Sequence, residues 1–374
     1  MRSTFFAALI IASTTLVAAA PGYSYGGGGG SPAPKGKGGN AQSGYSGSVD
    51  GGSVYNEGYK IFNDAYANSA GDGGLTKSGT AKGGDAPGGG GSALSGNTGT
   101  AYGGDVSNKG AVIINGYKAN TAGDGGVAIS GDAIGGNAWK RGYSYNPPSS
   151  KPKGGNAQSG YSGSVDGGNA INEGGYFIYN DAFANSGGDG GLTKSGTAKG
   201  GNAPGGGGSA LSGNTGTAYG GDVYNGANKI VNGYKSNSAG DGGVAISGDA
   251  IGGNAWKRGY SYNPPSSSKP KGGNAQSGYS GSVDGGNAIN EGGYFIYNDK
   301  FANSGGDGGL TKSGTAKGGD APGGGGSALS GNTGTAYGGD VYNGANKIVN
   351  GLGANKAGDG GVAISGDAIG GNAW

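Results

Sequence analysis

Residues 190–229 read GGLTKSGTAKGGNAPGGGGSALSGNTGTAYGGDVYNGANK, and glycine recurs in this segment with a period of five. Every pentad has glycine at its second position except the one that carries Leu211, and the rhythm returns in residues 242–256, GGVAISGDAIGGNAW. Glycine adds no Cβ, so its recurrence on one side favours backbones that stack closely against each other. The pattern predicts a glycine-rich repeat protein with all-β units that are β-solenoid-like or built of stacked sheets.

Composition leaves a second alternative open, in which most of the chain is disordered. The 374 residues include 101 Gly and 12 Pro, and only 32% are hydrophobic. Large apolar side chains are too few to offset the backbone entropy that a chain so rich in glycine loses on folding. The pentad rhythm also loses its phase near Ile230. The sequence therefore excludes a conventional globular core, and it leaves an ordered all-β stack and disorder as the two alternatives.

Missing residue types exclude several classes of function. The chain has no Cys and no His, so it offers no disulfide, no thiolate nucleophile, no imidazole base and no zinc site built from these residues. A net charge of +2 with 13% charged residues gives no electrostatic basis for binding nucleic acid. We expect no enzymatic activity, no metal and no cofactor. The GDGG motifs do not match calcium-binding patterns and are predicted to form Asp-Gly turns, at Asp72, Asp189, Asp241, Asp307 and Asp359.

A long internal repeat divides the chain into three units. The sequence GGNAQSGYSGSVDGG begins at residues 38, 154 and 272, and the copies end in the same GDGGVAISGDAIGGNAW at Trp139, Trp256 and Trp374. Between the copies lie Pro- and Ser-rich segments of the kind that forms exposed linkers. The predicted organisation is a signal peptide at residues 1–20, repeat units at 22–139, 154–256 and 272–374, and linkers at 140–153 and 257–271.

The N-terminal segment predicts secretion. Arg2 is followed by an apolar stretch at residues 5–16 and by small residues that end in Ala19 and Ala20, which is the composition of a signal peptide with its cleavage site. Cleavage after Ala19 would leave Ala20-Pro21, an X-Pro dipeptide of the kind that secretory dipeptidyl aminopeptidases remove. We expect the mature protein to have no transmembrane segment and to lie outside the cell, either free or associated with the cell wall or another extracellular surface.

Two dibasic pairs predict that the units are separated by proteolysis. Arginine occurs at only three positions, and the two beyond Arg2 each follow a lysine, in Lys140-Arg141 and Lys257-Arg258. A cut after each arginine would create new N-termini that begin GYSY, at residues 142 and 259, and the same four residues follow the signal peptide at residues 22–25. Removal of the dibasic pairs would leave tryptophan at the C-terminus of every unit. The shared ends indicate maturation by a kexin-type secretory protease.

This architecture resembles the kexin-processed repeat proteins of filamentous fungi. A signal peptide, tandem repeats and the separators Lys140-Arg141 and Lys257-Arg258 carry the resemblance, which does not extend to the sequence of the repeat itself. In that class, the repellent proteins of smut fungi yield surface-active peptides that coat aerial hyphae, and other precursors yield mating or cyclic peptides. The resemblance implies cleavage at the two dibasic pairs and implies no specific activity.

The most apolar segment of each unit is its best candidate strand. Copies at residues 57–69, 174–186 and 292–304 combine aromatic and β-branched residues without proline. High β propensity and low charge are typical of segments that pair between chains, although a single strand within the unit explains the pattern equally well. The candidate self-association residues are Tyr176, Phe177, Ile178 and Tyr179 in the second unit, and Tyr294, Phe295 and Ile296 in the third.

Together these features predict a secreted precursor whose units act outside the cell as structural, surface-coating or adhesive components that associate with one another. Tyrosine, with 23 copies, offers contacts for packing and adhesion, and oxidative crosslinking of these side chains is a further hypothesis. The alternative is a secreted peptide signal or host-directed effector, released by the same processing, that binds a receptor or host protein.

Overall fold

The computed structural model describes residues 36–139, 152–256 and 269–374. Within these ranges the chain contains β-strands and no helix, and every strand pairing is parallel. The chain winds through six coils that lie one upon another, so each strand pairs with the equivalent strands of the coils below and above. This arrangement confirms the prediction of an all-β fold with stacked sheets.

The strands of each coil follow the same order. Coil 1 has β1 (Ala41–Gln42), β2 (Val54–Glu57), β3 (Lys60–Asn63), β4 (Asn68–Ser69), β5 (Leu75–Lys77) and β6 (Ala81–Lys82). Coil 2 has β7 (Ala93–Leu94), β8 (Val106–Asn115), β9 (Asn120–Thr121), β10 (Val127–Ile129) and β11 (Ala133–Ile134). Coil 3 has β12 (Ala157–Gln158), β13 (Ala170–Asn180), β14 (Asn185–Ser186), β15 (Leu192–Lys194) and β16 (Ala198–Lys199).

The upper three coils repeat this order with two extra short strands. Coil 4 has β17 (Ala210–Leu211), β18 (Val223–Asn232), β19 (Asn237–Ser238), β20 (Val244–Ile246) and β21 (Ala250–Ile251). Coil 5 has β22 (Ala275–Gln276), β23 (Val283–Asp284), β24 (Ala288–Asn298), β25 (Asn303–Ser304), β26 (Leu310–Lys312) and β27 (Ala316–Lys317). Coil 6 has β28 (Ala328–Leu329), β29 (Ala336–Tyr337), β30 (Val341–Gly344), β31 (Lys347–Asn350), β32 (Asn355–Lys356), β33 (Val362–Ile364) and β34 (Ala368–Ile369).

Each predicted repeat unit contains two coils. Equivalent asparagines that are hydrogen-bonded in adjacent coils lie 52 residues apart in the first unit and 52 or 53 apart in the second and third. Between units the same spacing is 64 to 66 residues, because a separator is inserted there. The structural repeat is therefore about half as long as the repeat found in the sequence. The segments GGLTKSGTAKGGNAP and GGVAISGDAIGGNAW both follow the pentad rhythm, and they occupy equivalent positions in coils 3 and 4.

Glycines hold the two sides of every coil together. In two columns, the N–H of one glycine donates to the carbonyl of a glycine on the opposite side, and the bonds climb the stack in a zigzag at 2.7–2.9 Å. We call these columns glycine zigzags. The first contains glycines 39, 84, 91, 136, 155, 201, 208, 253, 273, 319, 326 and 371, and the second contains glycines 52, 71, 104, 123, 168, 188, 221, 240, 286, 306, 339 and 358.

The close approach of the backbones explains why these positions are glycine. A Cβ placed on Gly188 would lie 1.9 Å from the carbonyl oxygen of Gly123, and one on Gly201 would lie 2.0 Å from that of Gly136. These glycines do not have positive φ, so the limit on them is space and not backbone conformation. The pentad rhythm therefore records backbone packing, as the sequence predicted.

Apolar side chains form narrow columns in the stack. One column consists of alanines such as Ala157 and Ala210, and another contains isoleucines that include Ile113, Ile178 and Ile230 at 0% exposure. The phase break near Ile230 corresponds to the long strand β18, which contributes this residue to the isoleucine column. The core is a set of columns of single side chains and not a broad apolar layer.

A polar core lies beside the isoleucine column. Each coil contributes three asparagines, and each side-chain amide donates to the side-chain oxygen of the equivalent asparagine in the next coil. In coil 3 these are Asn172, Asn180 and Asn185, which are buried and bond to Asn225, Asn232 and Asn237 at 2.8–2.9 Å. Because buried amides are costly when they lack partners, the ladder fixes the register of the coils.

Candidate functional site: unit junctions and surface columns

The predicted processing sites fall, in the sequence, between the residues of successive coils. Lys140, Arg141, Lys257 and Arg258 fall outside the described residues, as do Ala19 and Ala20 at the predicted signal cleavage site. The described chain stops at Trp139 and resumes at Pro152, and it stops again at Trp256 and resumes at Lys269. Both separators therefore connect the end of an even-numbered coil with the start of the next odd-numbered one.

The residues that follow each separator are joined to the stack by backbone hydrogen bonds. The carbonyl oxygens of Pro152 and Lys153 accept N–H groups of Gly205 and Gly90 at 2.8 and 2.9 Å. The third unit starts in the same way, because the carbonyl oxygen of Lys271 accepts the N–H of Gly207 at 3.0 Å. The described residues on both sides of each separator are thus bonded into the stack.

The junction between units pairs as fully as the interior of a unit. Strands β8 and β13, which belong to different units, pair over nine residues, and so do β18 and β24 at the second junction. Strands β13 and β18, which belong to the same unit, pair over eight. The asparagine ladder also crosses both junctions, from Asn115 to Asn180 and from Asn232 to Asn298, each at 2.8 Å. The backbone therefore does not distinguish a junction from any other contact between coils.

The candidate self-association residues lie on long strands that are paired on both edges. Tyr176, Phe177, Ile178 and Tyr179 belong to β13, which pairs with β8 on one side and β18 on the other. Tyr294, Phe295 and Ile296 belong to β24, between β18 and the strands β30 and β31. The predicted strands are confirmed. Phe177, Ile178 and Tyr179 pair with neighbouring strands on both sides, as Phe295 and Ile296 do, whereas Tyr176 and Tyr294 fall where the strand register shifts and are about 70% exposed.

An aromatic column runs along the outside of the stack and was not anticipated from the sequence. Tyr66, Tyr117, Phe183, Tyr234 and Phe301 stack edge to face, with ring centroids 5.7–6.1 Å apart. The aromatic residues of odd coils have positive φ, whereas in coils 2 and 4 the following lysine has it. Coil 6 has Leu352 at the aromatic position and Gly353 at the position of positive φ. The recurring DAYAN, GYKAN and DAFAN segments were the available signal.

The GDGG aspartates form a second surface column. Above coil 1, the N–H of each aspartate donates to the carboxylate of its counterpart one coil below, as Asp189 does to Asp124 and Asp241 does to Asp189, at 3.0 and 2.9 Å. None of these residues lies in a hydrogen-bonded turn, so the prediction of Asp-Gly turns was wrong. These aspartates do not form turns because the glycines that precede them belong to the second glycine zigzag.

Partial burial raises the pKa of two aspartates above its usual range. For Asp166 the cause is loss of solvent, opposed by the hydrogen bond from the Tyr219 N–H. For Asp189 the pKa is raised by loss of solvent and by the carboxylates of Asp124 and Asp241, and lowered by the N–H of Asp241. Aligned carboxylates can attract cations, but no group of three or more metal-ligating side chains occurs in the described ranges.

No family model matches this chain, and neither a curated protein nor a solved structure matches it. Among the residues that the structure covers, no helix has the length and apolar character needed to cross a membrane.

Proposed function

We propose that this chain is a secreted precursor whose coils form one β-solenoid, and that a kexin-type protease cuts it after Lys140-Arg141 and Lys257-Arg258. The three products act outside the cell as structural, wall-coating or adhesive components, and their role is not catalytic. The proposal places the protein with the kexin-processed repeat proteins of filamentous fungi, which it resembles in architecture.

The placement of the separators carries this proposal. Each one falls between whole coils, and the chain on both sides is already bonded into the stack, so cleavage there would leave every coil intact. A protease that acted within a coil would instead break the glycine zigzags and the asparagine ladder. The position of the dibasic pairs thus suits the release of folded units.

The outer surface suits a structural or adhesive role. Tyrosines recur at equivalent positions of alternate coils and remain exposed, as Tyr45, Tyr161 and Tyr279 do at 42–64%. Tyrosine combines a large apolar face with a hydroxyl group and therefore contacts many kinds of surface. A repeating array of such contacts favours an extended surface as the partner over a single receptor.

Intact mass spectrometry of the secreted protein tests the processing. Cells with an active kexin-type protease should release three species near one third of the precursor mass, which begin at residues 22, 142 and 259. Cells that lack the protease should release one long species. A single uncut chain from both strains would refute the processing.

Fractionation of the same cultures tests the role. We expect the units in insoluble wall or surface extracts. Units that stay soluble and monomeric in the medium would contradict the structural role and favour the alternative, a secreted signal or host-directed effector.

A further inference from the structure

The two end surfaces of a unit are complementary to each other. Coil 3, the first coil of unit 2, presents its lower surface to coil 2, and coil 4 presents its upper surface to coil 5. Coils 2 and 4 occupy the same place in their units, and so do coils 3 and 5. The first surface of any unit therefore fits the last surface of any other unit, including another copy of itself.

We infer that separated units bind one another end to end, so that the cut protein remains stacked and extends into filaments made of further copies of this chain. The occupant of each end surface is thus a second copy of the unit. The inference rests on the proposed function only for the cuts that separate the units, since the surfaces exist in the uncut chain.

The paired area at the junction is extensive and specific. Besides the nine-residue strand pairing, coil 2 donates backbone N–H groups to coil 3 around the whole circumference, for example Ala93 to Asn156, Ala101 to Ser164 and Ala133 to Thr197, at 2.9–3.1 Å. Buried side chains also meet there, because Ile113 and Ile178 belong to one apolar column. The asparagine ladder allows one register only, since a shift would leave buried amides without partners.

An uncovered end coil exposes the groups that a junction buries. Ile113 and Ile230, in coils 2 and 4, are fully buried by the coils above them. Their counterpart in coil 6, Ile348, is 37% exposed, and no described residue covers it. The neighbouring N–H groups of β31 likewise have no described acceptor above them. Such an open parallel edge is a template for another chain.

The symmetry of the contact determines the kind of assembly. The two surfaces that meet are different, so the contact is heterologous, and coils in a stack translate along one axis without closing into a ring. Each added unit contributes two coils and lengthens the stack by about 9 to 10 Å at the usual spacing of paired strands. The expected product is an open filament as wide as one coil.

The test uses the full chain, cut in solution at its separators. A second version carries the recognition site of an unrelated protease within residues 140–151 and 257–268, so that the units can be separated even if the dibasic pairs resist cleavage. Denaturing gels report the cut, while sedimentation and native mass spectrometry report the particle size. Mixing labelled and unlabelled cut protein reports exchange of units.

After complete cleavage we expect particles no smaller than the uncut chain, with longer filaments at higher concentration and mixed label within one particle. Sedimentation as separate single units would overturn the inference. Failure of the kexin-type protease to cut the first version would refute the proposed processing but not the stacking, which the second version tests independently.

Matched variants show whether the junction itself holds the particle. The carboxylates of Asp105 and Asp222 accept N–H groups of Asn169 and Asn287 across the two junctions, at 2.7 and 2.6 Å. In the same column, the side-chain oxygens of Ser53 and Asn169 accept N–H groups within units, from Asp105 and Asp222, at 3.0 and 2.8 Å. The double variant D105A/D222A should raise the concentration at which cut particles dissociate by about 5- to 30-fold.

The control S53A/N169A removes one acceptor within the first unit and one within the second, and neither side chain is hydrogen-bonded across a junction. It should leave the dissociation concentration of the cut particles within about threefold of the unchanged protein. Equal effects of the two double variants on dissociation would count against the end-to-end contact.

Discussion

Replacing Gly188 by alanine tests whether glycine is required for space. The new Cβ would lie 1.9 Å from the carbonyl oxygen of Gly123, whereas ordinary contact begins near 3.4 Å. The two backbones would have to separate by about 1.5 Å, because no side chain at the contact can rotate away. This movement would stretch the bonds from Gly188 N–H to Gly168 and from Gly221 N–H to Gly188, now 2.9 and 2.7 Å long.

The expected loss follows from those contacts. Two backbone hydrogen bonds are worth about 0.5–1.5 kcal/mol each, and overpacking adds about 1–3 kcal/mol, so Gly188→Ala should destabilise the stack by about 2–6 kcal/mol. The matched control is Gly175→Ala, whose Cβ would meet nothing closer than 3.9 Å. It should be neutral or stabilising by about 0.4–1 kcal/mol, because alanine restricts the unfolded chain.

Chemical unfolding followed by circular dichroism measures both variants, and hydrogen exchange locates the effect. Protection should fall at the amides of Gly168, Gly188 and Gly221 and persist in coils away from the substitution, because coils interact mainly with their neighbours. Equal stability of the two variants would refute the reasoning that close backbone approach selects glycine here.

Three further substitutions probe the other columns. Asn180→Ala should cost about 1.5–4.5 kcal/mol in urea unfolding, because it leaves the buried side-chain oxygen of Asn232 without a donor and leaves the Asn115 amide with only its longer bond to Asn172. The exposed Asn228→Ala should change stability by less than about 0.5 kcal/mol. A similarly small loss for Asn180→Ala would contradict a structural role of the ladder. Leu352→Tyr should extend the aromatic column beyond Phe301 and raise stability by about 0.5–1.5 kcal/mol. The control Leu352→Ala should have little effect, because this side chain is 73% exposed. No gain from tyrosine would contradict a stabilising role of the aromatic column. The pKa of Asp189 is raised in the folded state, so folding binds protons, and stability should decrease as pH rises from the ordinary aspartate range through the raised pKa. Asp189→Asn should flatten this part of the stability–pH curve and stabilise the protein at neutral pH. An unchanged curve would show that Asp189 does not cause this pH dependence.

The sequence alone excluded a conventional globular core, indicated all-β stacking as one of two alternatives beside disorder, and set limits on the chemistry. Glycine at the second position of successive pentads indicated closely stacked backbones, and the absence of Cys and His removed whole classes of site. The apolar segments around Tyr176 and Tyr294 were predicted as strands and are strands. The inferences of stacked backbones and of strands succeeded because they depend on local properties, namely the lack of a Cβ and β propensity.

Only the tertiary structure decided which residues meet. Asn180 and Asn232 lie 52 residues apart, and nothing in their local sequence shows that their amides bond in a buried ladder. Odd and even coils differ most in their long strands, as β13 and β18 do. The repeat of two coils was therefore visible in the sequence, whereas the repeat of a single coil was missed. The GDGG aspartates failed as turns because stacking places their carboxylates beside the next coil's N–H groups. Stacking of the coils decides the register of the strands, the burial of side chains and the equivalence of the contacts at junctions and within units. These properties arise only when segments about 52 or 65 residues apart come together.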